Sequence, residues 1–357
     1  MKIKNYLMTG AASILLLATA CSDRDKNEQT PGEGSIVVSL HGEKINQRAT
    51  GPTTDNETDE RKIVNFRIYV FNNSSGAVEK VVNGEVTDGK PNPTTITGLN
   101  ILTSKKIVVL ANIPDGYGAV SHYSDFETYM LDLNTQTPHN RATKGLAMSG
   151  ESEEFTLTNE DVNGTPKGIS VTIKRVVAKV KLESILISPT SGRAGVFELT
   201  SVSIQKAKSL ATIGPVDIAS SKPYYGGIAS TESTVQASYL IDNFTTTPPT
   251  GTTEITDNYF YVFPNEVEGE ETLMTISGTY DGAVMHFPFQ INAIASEGGG
   301  TADGKLIKRN TQYQLAVTLR NLGGGSTDPD VPGEEADVEI IVTTEGWEGP
   351  LTQNVEW

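Results

Sequence analysis

Apolar side chains recur at every second position through most of this chain, and this spacing constrains the fold more than any other feature. Three runs are clearest: Val64, Phe66, Ile68 and Val70; Met285, Phe287, Phe289 and Ile291; and Tyr313, Leu315, Val317 and Leu319. Alternation over four steps is typical of an antiparallel strand with one face in a core. Further strands are predicted at 35–40, 106–111, 169–173, 178–182, 258–263 and 272–280, separated by Gly, Pro, Asn, Ser and Thr clusters. Many short strands with such punctuation predict an all-β protein built from sandwiches.

One segment departs from the alternation. Its apolar residues are spaced as on one face of a helix: Phe126, Tyr129, Met130 and Leu133. Ser124 and Glu127 fit a capping box at its start. We therefore predict a single short helix over 125–133, packed on the first sheet, with its aromatic and Met side chains in the core rather than on a cofactor.

The N-terminus has the features of an export signal. Lys2 and Lys4 precede an apolar stretch at 6–20 that is too short to span a bilayer as a permanent helix. The stretch ends in ATAC at 18–21, which resembles the bacterial lipobox, with Cys21 as the residue that receives lipid. Cys21 is also the only cysteine of the chain, so it has no intramolecular disulfide partner. The alternative is an ordinary secretory signal that happens to be followed by a cysteine.

The charge balance argues against several classes of partner. The chain has 28 basic and 44 acidic side chains, a formal net charge of −16. Such an acidic surface repels nucleic acid and anionic membranes. We therefore expect no nucleic-acid partner, and contact with a membrane only through the lipid on Cys21.

The residues needed for common catalytic sites are missing from their usual patterns. His41, His122, His139 and His286 are scattered, without a metal-ligand spacing. The glycines and lysine at 299–305 have the spacing of a phosphate-binding loop, but Leu306 occupies the position of the Ser or Thr that would bind magnesium. The residues that follow alternate as in a strand, whereas a phosphate-binding loop is followed by a helix. The sequence therefore predicts a protein that is not an enzyme and holds neither a metal nor a cofactor.

A strand near the start of the exported chain is a candidate functional element. Ile36, Val38 and Leu40 share one face of the strand predicted at 35–40. Arg48 and Ala49 follow, just before a polar run with loop composition, where a trypsin-like protease can reach the backbone. Cleavage after Arg48 would separate this strand and the lipid from the rest of the chain. The alternative is that Arg48 is an ordinary surface charge and the strand is permanent.

A second candidate element lies at the other end. Val338, Ile340 and Val342 share one face of a strand that follows a Gly-rich stretch at 323–333, which we interpret as a structureless linker, and Trp347 comes soon after. Such a strand can fold back on its own domain or insert into a neighbour that lacks a strand. A removable strand at one end and a spare strand at the other predict a head-to-tail polymer, which grows as a filament because the contact does not close.

Several short motifs in a fixed order resemble those of type V pilus fimbrillins of the Bacteroidales. They are the lipobox, Arg48-Ala49, NFRIYVF at 65–71, LAMSG at 146–150, RVVAKV at 175–180, YVFPN at 261–265, KRNTQYQL at 308–315, and a tail with EGW at 345–347 and VEW at 355–357. The resemblance covers essentially the whole chain. It implies two transthyretin-like β-sandwich domains, export by the lipoprotein machinery to the outer membrane, and maturation by an Arg-specific protease at Arg48, although Arg61 also precedes a strand.

The resemblance further implies polymerisation with copies of itself and related pilus subunits through a C-terminal donor strand, in fimbriae that support adhesion. The expected division is 1–21 signal peptide and lipidated cysteine, 22–48 propeptide with the first strand, 49–168 and 169–322 the two sandwiches, and 323–357 linker and donor strand. The alternative is a monomeric surface lipoprotein, anchored through Cys21, that binds a glycan or a protein. Tyr224 and Tyr225 would then offer an aromatic platform for a sugar.

Overall fold

The computed structural model describes residues 32–42, 59–114, 119–162, 164–189, 197–215, 223–244, 251–254, 258–293, 304, 306–333 and 337–346. The strands of the first half are β1 (Glu33–Gly42), β2 (Phe66–Asn72), β3 (Val78–Gly84), β4 (Val86–Thr87), β5 (Lys90–Pro91), β6 (Thr94–Asn100), β7 (Ser104–Ala111), β8 (Met130–Asp132), β9 (Met148–Glu151), β10 (Phe155–Thr156) and β11 (Lys167–Arg175). The all-β prediction is confirmed.

The second half continues with strands of the same kind. They are β12 (Ala178–Ile187), β13 (Phe197–Gln205), β14 (Ala207–Lys208), β15 (Leu210–Thr212), β16 (Tyr224–Gly226), β17 (Val235–Gln236), β18 (Ile241–Asn243), β19 (Gly251–Glu254), β20 (Tyr259–Val262), β21 (Leu273–Tyr280), β22 (Ala283–Gln290), β23 (Thr311–Leu319) and β24 (Val338–Gly346). An α-helix at Pro138–Lys144 and 3-10 turns at Tyr123–Glu127, Leu133–Thr135, Asn159–Asp161, Ser238–Leu240 and Leu322–Gly324 join them.

The first sandwich is one sheet that folds over on itself. Its strand order is β3-β2-β7-β9-β11-β1-β6, with β10 paired to β7. Strand β11 pairs with β1 along Lys167–Ile173 and with β9 at Lys174 and Arg175, so it belongs to both layers. Alternate side chains of β1, β6 and β11 meet those of β2 and β7 in a single core.

The second sandwich packs two sheets face to face. One has the order β19-β12-β23-β24, with β20 also paired to β12, and the other has the order β18-β13-β21-β22. The alternating residues predicted for β23 lie at 0–1% exposure, and the apolar residues of β12 and β21 around them are also buried. Together they form one core. The inward face expected from the alternation is therefore the face observed.

Strand β2 differs from the half-buried strand predicted from its alternation. Phe66, Ile68 and Val70 lie in the sandwich core, but Tyr69 and Phe71 on the opposite face are also buried, at 3% and 1% exposure. They pack in a second cluster with Val108, Leu110, Phe126 and Ile213. The outer face of the sheet is covered by the connection after β7, which alternation within β2 does not reveal.

The helix predicted at 125–133 is wrong. The chain forms a 3-10 turn at Tyr123–Glu127, where the Asp125 carboxylate accepts hydrogen bonds from the backbone N–H groups of Ser121 and His122. It then becomes strand β8, which pairs antiparallel with β15 of the second half. Tertiary pairing outweighs the weak local helical tendency of so short a segment. Phe126 is nevertheless a core residue, as expected, with an edge-to-face contact to Tyr69.

The helix observed at Pro138–Lys144 was not predicted, although its sequence has ordinary end signals. The Thr137 hydroxyl oxygen accepts a hydrogen bond from the Asn140 N–H at 3.2 Å, and Pro138 occupies the first turn. Gly145 ends the helix with φ of 72°. The segment from β8 to Ala147 places Leu131, Leu133, Leu146 and Ala147 in the core of the second sandwich.

The predicted boundary between residues 168 and 169 falls inside strand β11. Residues Ile169, Val171 and Ile173 pack in the core of the first sandwich, together with β1. The chain leaves that sandwich only after Arg175, where Val176 and Val177 enter the core of the second. The Gly-Pro composition before Lys167 marks a loop within the first sandwich rather than its end.

Candidate functional site

Strand β1 occupies an interior position in the first sandwich. It pairs parallel with β11 on one side and antiparallel with β6 on the other. The predicted inward residues Ile36, Val38 and Leu40 lie at 0%, 1% and 5% exposure. Without β1, both neighbouring strands would lose hydrogen-bond partners and the core between them would open to water.

Strand β24 lies at the edge of its sheet. Among the described strands its hydrogen-bonded neighbour is β23, with which it pairs along its whole length, from Val338 opposite Leu319 to Gly346 opposite Thr311. Val342 is fully buried, Ile340 is 9% exposed, and Val338 packs against the same core. The strand therefore folds back on its own sandwich, which is one of the two arrangements that the sequence leaves open.

The two strands present the same apolar pattern. Three aliphatic residues point inward from β1 at positions 36, 38 and 40, and three from β24 at positions 338, 340 and 342. The spacing is the same, with Ile, Val and Leu in β1 and Val, Ile and Val in β24.

The segment before β24 is not the structureless linker we expected. Residues 320–333, which we call the strap, follow β23 and cross the edge of the other sheet. Ser326 exchanges two backbone hydrogen bonds of 2.8 Å with His286 of β22, and the Thr275 hydroxyl donates to the carbonyl of Pro329 at 2.7 Å. The Gly-rich composition predicted a flexible linker, but specific hydrogen bonds to the sandwich hold this segment in place.

Asp330 is the main polar anchor of the strap and lies in the stretch at 323–333 that was predicted to be a structureless linker. It is 5% exposed. Its carboxylate accepts hydrogen bonds from the backbone N–H of Glu232 at 3.2 Å, from the N–H of Ser233 at 3.0 Å and from the Ser230 hydroxyl. The Ser233 hydroxyl donates to the other oxygen at 3.2 Å. Because a buried carboxylate needs such partners, the strap has one well-defined position.

A buried charge cluster joins the two sandwiches just after the region that carries Arg48. Glu60 is 1% exposed, and its carboxylate lies 2.8 Å from Lys179 Nζ and accepts a hydrogen bond of 2.6 Å from the Tyr261 hydroxyl. Arg175 Nε donates to the Glu60 carbonyl at 2.9 Å. Burial raises the pKa of Tyr261, with the Glu60 carboxylate acting in the same direction. Burial lowers the pKa of Arg175 to about 10, against the opposing effect of Glu60.

Other contacts also hold the two sandwiches together. The Arg309 guanidinium donates to the Ser149 hydroxyl at 3.0 Å and to the Gly214 carbonyl at 3.1 Å. The Tyr225 hydroxyl donates to the Asp132 carboxylate at 3.2 Å. With the β8–β15 pairing, these bonds connect the halves at several separate points.

Tyr224 and Tyr225 do not form an exposed platform. They lie at 1% and 8% exposure in the small sheet β14-β16-β17. Lys208 lies 5.2 Å from the Tyr224 ring centroid. The sugar-platform hypothesis for these two residues is therefore wrong, because their rings fill the protein rather than face solvent.

Four predicted site residues, Cys21, Arg48, Ala49 and Trp347, lie outside the described residues. Within the part of the chain that the structure describes, no group of three or more His, Cys, Asp or Glu side chains is arranged to hold a metal ion. The described helices are all too short or too polar to cross a membrane.

Part of the chain matches a known protein family. Residues 34–183 match the family of the major fimbrial subunit protein (FimA). The match begins in β1, covers the first sandwich and ends in β12. The FimA family consists of structural fimbrial subunits and is not an enzyme family. A search of curated protein sequences finds no match.

Solved structures with the same fold cover most of the chain. A cell adhesion protein from Bacteroides eggerthii is 22% identical, with a TM-score of 0.66 over 90% of this chain and 99% of that one. A fimbrilin from Porphyromonas gingivalis is 15% identical, with a TM-score of 0.66 over 89% and 98% of the two chains. A cell adhesion protein from Parabacteroides distasonis is 20% identical, with a TM-score of 0.57 over 91% and 99%. At these identities the likeness shows a common β-sandwich fold.

Proposed function

We propose that this chain is a structural subunit of a cell-surface fimbria, exported as a lipoprotein through Cys21, cleaved after Arg48 and polymerised by donor-strand exchange. The observation that carries the proposal is the likeness between strands β1 and β24, which lie in different sheets. One is an interior strand that a single cleavage would release, and the other is an edge strand whose inward aliphatic residues have the same spacing.

The hydrogen-bonding positions of the two strands give exchange a driving force. In its own sheet β24 bonds to β23 on one side. In the place of β1 in another copy it would lie between β6 and β11 and bond on both sides. Because each satisfied backbone group contributes favourably, an interior position is worth more than an edge position.

The charge cluster at Glu60 supports Arg48 rather than Arg61 as the cleavage site. Arg61 follows Glu60 directly, and the backbone on either side is held by the bonds from Lys62 N–H to the Asp59 carbonyl, at 3.2 Å, and from Arg175. A protease needs an extended, accessible segment. Cleavage after Arg61 would also take away the carboxylate that neutralises buried Lys179, which is strongly unfavourable.

A pair of complementary variants tests donor-strand exchange. Arg48→Ala should keep β1 in place, so this chain can donate β24 but has no open groove. A chain that ends at Ala336 should be cleaved normally and accept a strand but have none to donate. We expect each variant alone to stay monomeric and the mixture to give SDS-resistant 1:1 dimers and nothing longer, measured by gel electrophoresis and light scattering. Filaments from either variant alone would refute the mechanism.

The arrangement of β24 in its own sheet also fits a monomeric lipoprotein that remains anchored through Cys21. The N-terminal sequence and intact mass of protein sheared from the cell surface separate the two functions. A start at Ala49 in SDS-resistant material of high molecular weight supports the fimbrial subunit. A start at lipidated Cys21 in a purely monomeric species would favour the anchored protein.

A further inference from the structure

Strand β6 depends on β1 for its place in the first sandwich. It is the last strand in the order β3-β2-β7-β9-β11-β1-β6, and among the described strands its hydrogen-bonded neighbour is β1. The pairing with β1 runs along β6 from Asn100 to Thr94. If β1 leaves, β6 loses the hydrogen bonds that attach it to the sheet, although its residues Ile96 and Leu99 belong to the core. One side of the space that a donor strand would enter is then formed by a strand without a sheet neighbour.

A side-chain link on the other side of β6 does not involve β1. The folded sheet brings its two end strands, β3 and β6, close together. Glu79 of β3 lies where they meet, and Oε1 of its carboxylate accepts a hydrogen bond of 2.5 Å from the backbone N–H of Asn100 in β6. Because both partners lie outside β1, this bond can persist when β1 is removed.

The other oxygen of the Glu79 carboxylate is held by a buried cation. Lys105 of β7 is fully buried and lies on the face of its strand that carries Ile107 and Val109 into the core. Its Nζ lies 2.5 Å from Glu79 Oε2 and donates to the Thr103 hydroxyl at 2.7 Å. A buried ammonium group requires such a counter-charge, so Lys105 fixes the carboxylate that reaches β6.

The backbone bonds just after β6 divide in the same way. The Ile101 N–H donates to the carbonyl of Gly32, which precedes β1 and would leave with it. The Leu102 N–H donates to the Leu157 carbonyl at 2.8 Å, a bond that does not depend on β1. This second bond holds the chain that follows β6, whereas the bond to Glu79 holds the strand itself.

We propose that the Glu79 carboxylate is a positioning group of the acceptor groove, the space between β6 and β11 that β1 occupies. It keeps β6 in place after β1 is released, until the strand of the next copy arrives. The proposal rests on the fimbrial function above. A strand adds more readily to an edge that is already in place, because the cost of ordering that edge is not charged to binding.

Two double variants test this role. Glu79→Leu with Lys105→Met removes the link and both buried charges together, so the uncleaved chain, in which β1 still pairs with β6, should keep a thermal midpoint close to wild type. Asn100 is exposed, so its N–H can bond to water instead. The matched control is Glu270→Leu with Lys208→Met in the second sandwich, where Lys208 Nζ is buried and lies 2.5 Å from the Glu270 carboxylate.

The rate of filament elongation by mature chains should distinguish these variants. It should fall about tenfold or more in the Glu79 double variant, because only a fraction of its open grooves holds β6 correctly. In the Glu270 double variant it should stay within about twofold of wild type. A merely structural role of the ion pair would change both rates in proportion to the loss of stability, and equally at equal thermal midpoints.

The position of β6 can also be measured without altering Glu79. Mature chains carry no native cysteine, because Cys21 lies before the proposed cleavage site. Spin labels on Val81→Cys of β3 and Thr97→Cys of β6, both exposed, report the separation of the two strands by double electron–electron resonance. In cleaved, unassembled chains that have lost β1 we expect one narrow distance distribution, which should broaden in the Glu79 double variant and become narrow again in filaments diluted with unlabelled chains.

The outcomes separate the role of Glu79 from the proposed function. A broad distribution in unassembled chains with Glu79 intact, or equal elongation rates in the two double variants, would overturn the role of Glu79 while strand exchange stands. If wild-type chains start at Cys21 and never form filaments, the fimbrial function fails, and the role in the acceptor groove fails with it.

Discussion

The strand-exchange mechanism makes a specific prediction for Val38, whose effect should depend on the state of the protein. Val38 is 1% exposed in β1, opposite Ile169 on β11 and Thr94 on β6. Val38→Ala removes two carbons, worth about 1.6 kcal/mol at about 0.8 kcal/mol for each buried carbon. The cavity that remains adds to this, so we expect a total of about 2–3 kcal/mol in the uncleaved chain.

Urea denaturation of the uncleaved protein, followed by circular dichroism, measures this loss, which corresponds to a fall of roughly 5–10 °C in the thermal midpoint. In mature filaments the same substitution should have no effect, because β1 has been cleaved away. Filament dissociation in urea should therefore match wild type. Val37→Ala is the control, since Val37 lies half-buried on the opposite face of β1; it should cost the uncleaved chain under about 1 kcal/mol.

Two results would refute this reasoning. If Val38→Ala weakens mature filaments as much as the uncleaved chain, β1 remains in the filament and is not exchanged. If it costs the uncleaved chain less than about 0.5 kcal/mol, β1 does not contribute to the core as its burial indicates.

Two further predictions concern buried carboxylates. Glu60→Gln removes the negative charge beside Lys179, whose side chain is 8% exposed. It should lower the free energy of unfolding, measured by urea denaturation, by about 3–5 kcal/mol. Asp59→Asn is the control, and an equal loss in that variant would contradict the assignment to the ion pair. Asp330→Asn removes a charged hydrogen-bond acceptor, worth about 1.5–3 kcal/mol, from the strap. This loss of free energy should accelerate the hydrogen exchange of the strap amides about 10–100-fold. The control variant Asp281→Asn, at an exposed turn, should leave the exchange rate of the strap amides unchanged. Equal exchange in both variants would show that Asp330 does not hold the strap.

Sequence reasoning failed where contacts between distant parts of the chain decide the local structure. The segment at 125–133 had helical spacing but formed β8, because β15, about 80 residues later, offers it hydrogen bonds. The Gly-rich strap had the composition of a loose linker but is held by Asp330 and its bonds to the loop at 230–233. The roles of Glu60 and Asp330 were not predicted, because the burial of a charged side chain produces no periodic pattern in the sequence.

The alternation of apolar residues was enough to predict the all-β class and the inward face of the clearest strands. A strand has a period of two set by its own backbone, so the alternation of Ile36, Val38 and Leu40, or of Val338, Ile340 and Val342, identifies the buried side without knowledge of the partner. Which strands pair was decided by the tertiary structure. Strand β1 lies between β6 and β11, roughly 60 and 130 residues away, and every alternating strand offers the same hydrogen-bonding edge. Only the packing of the whole chain selects among them.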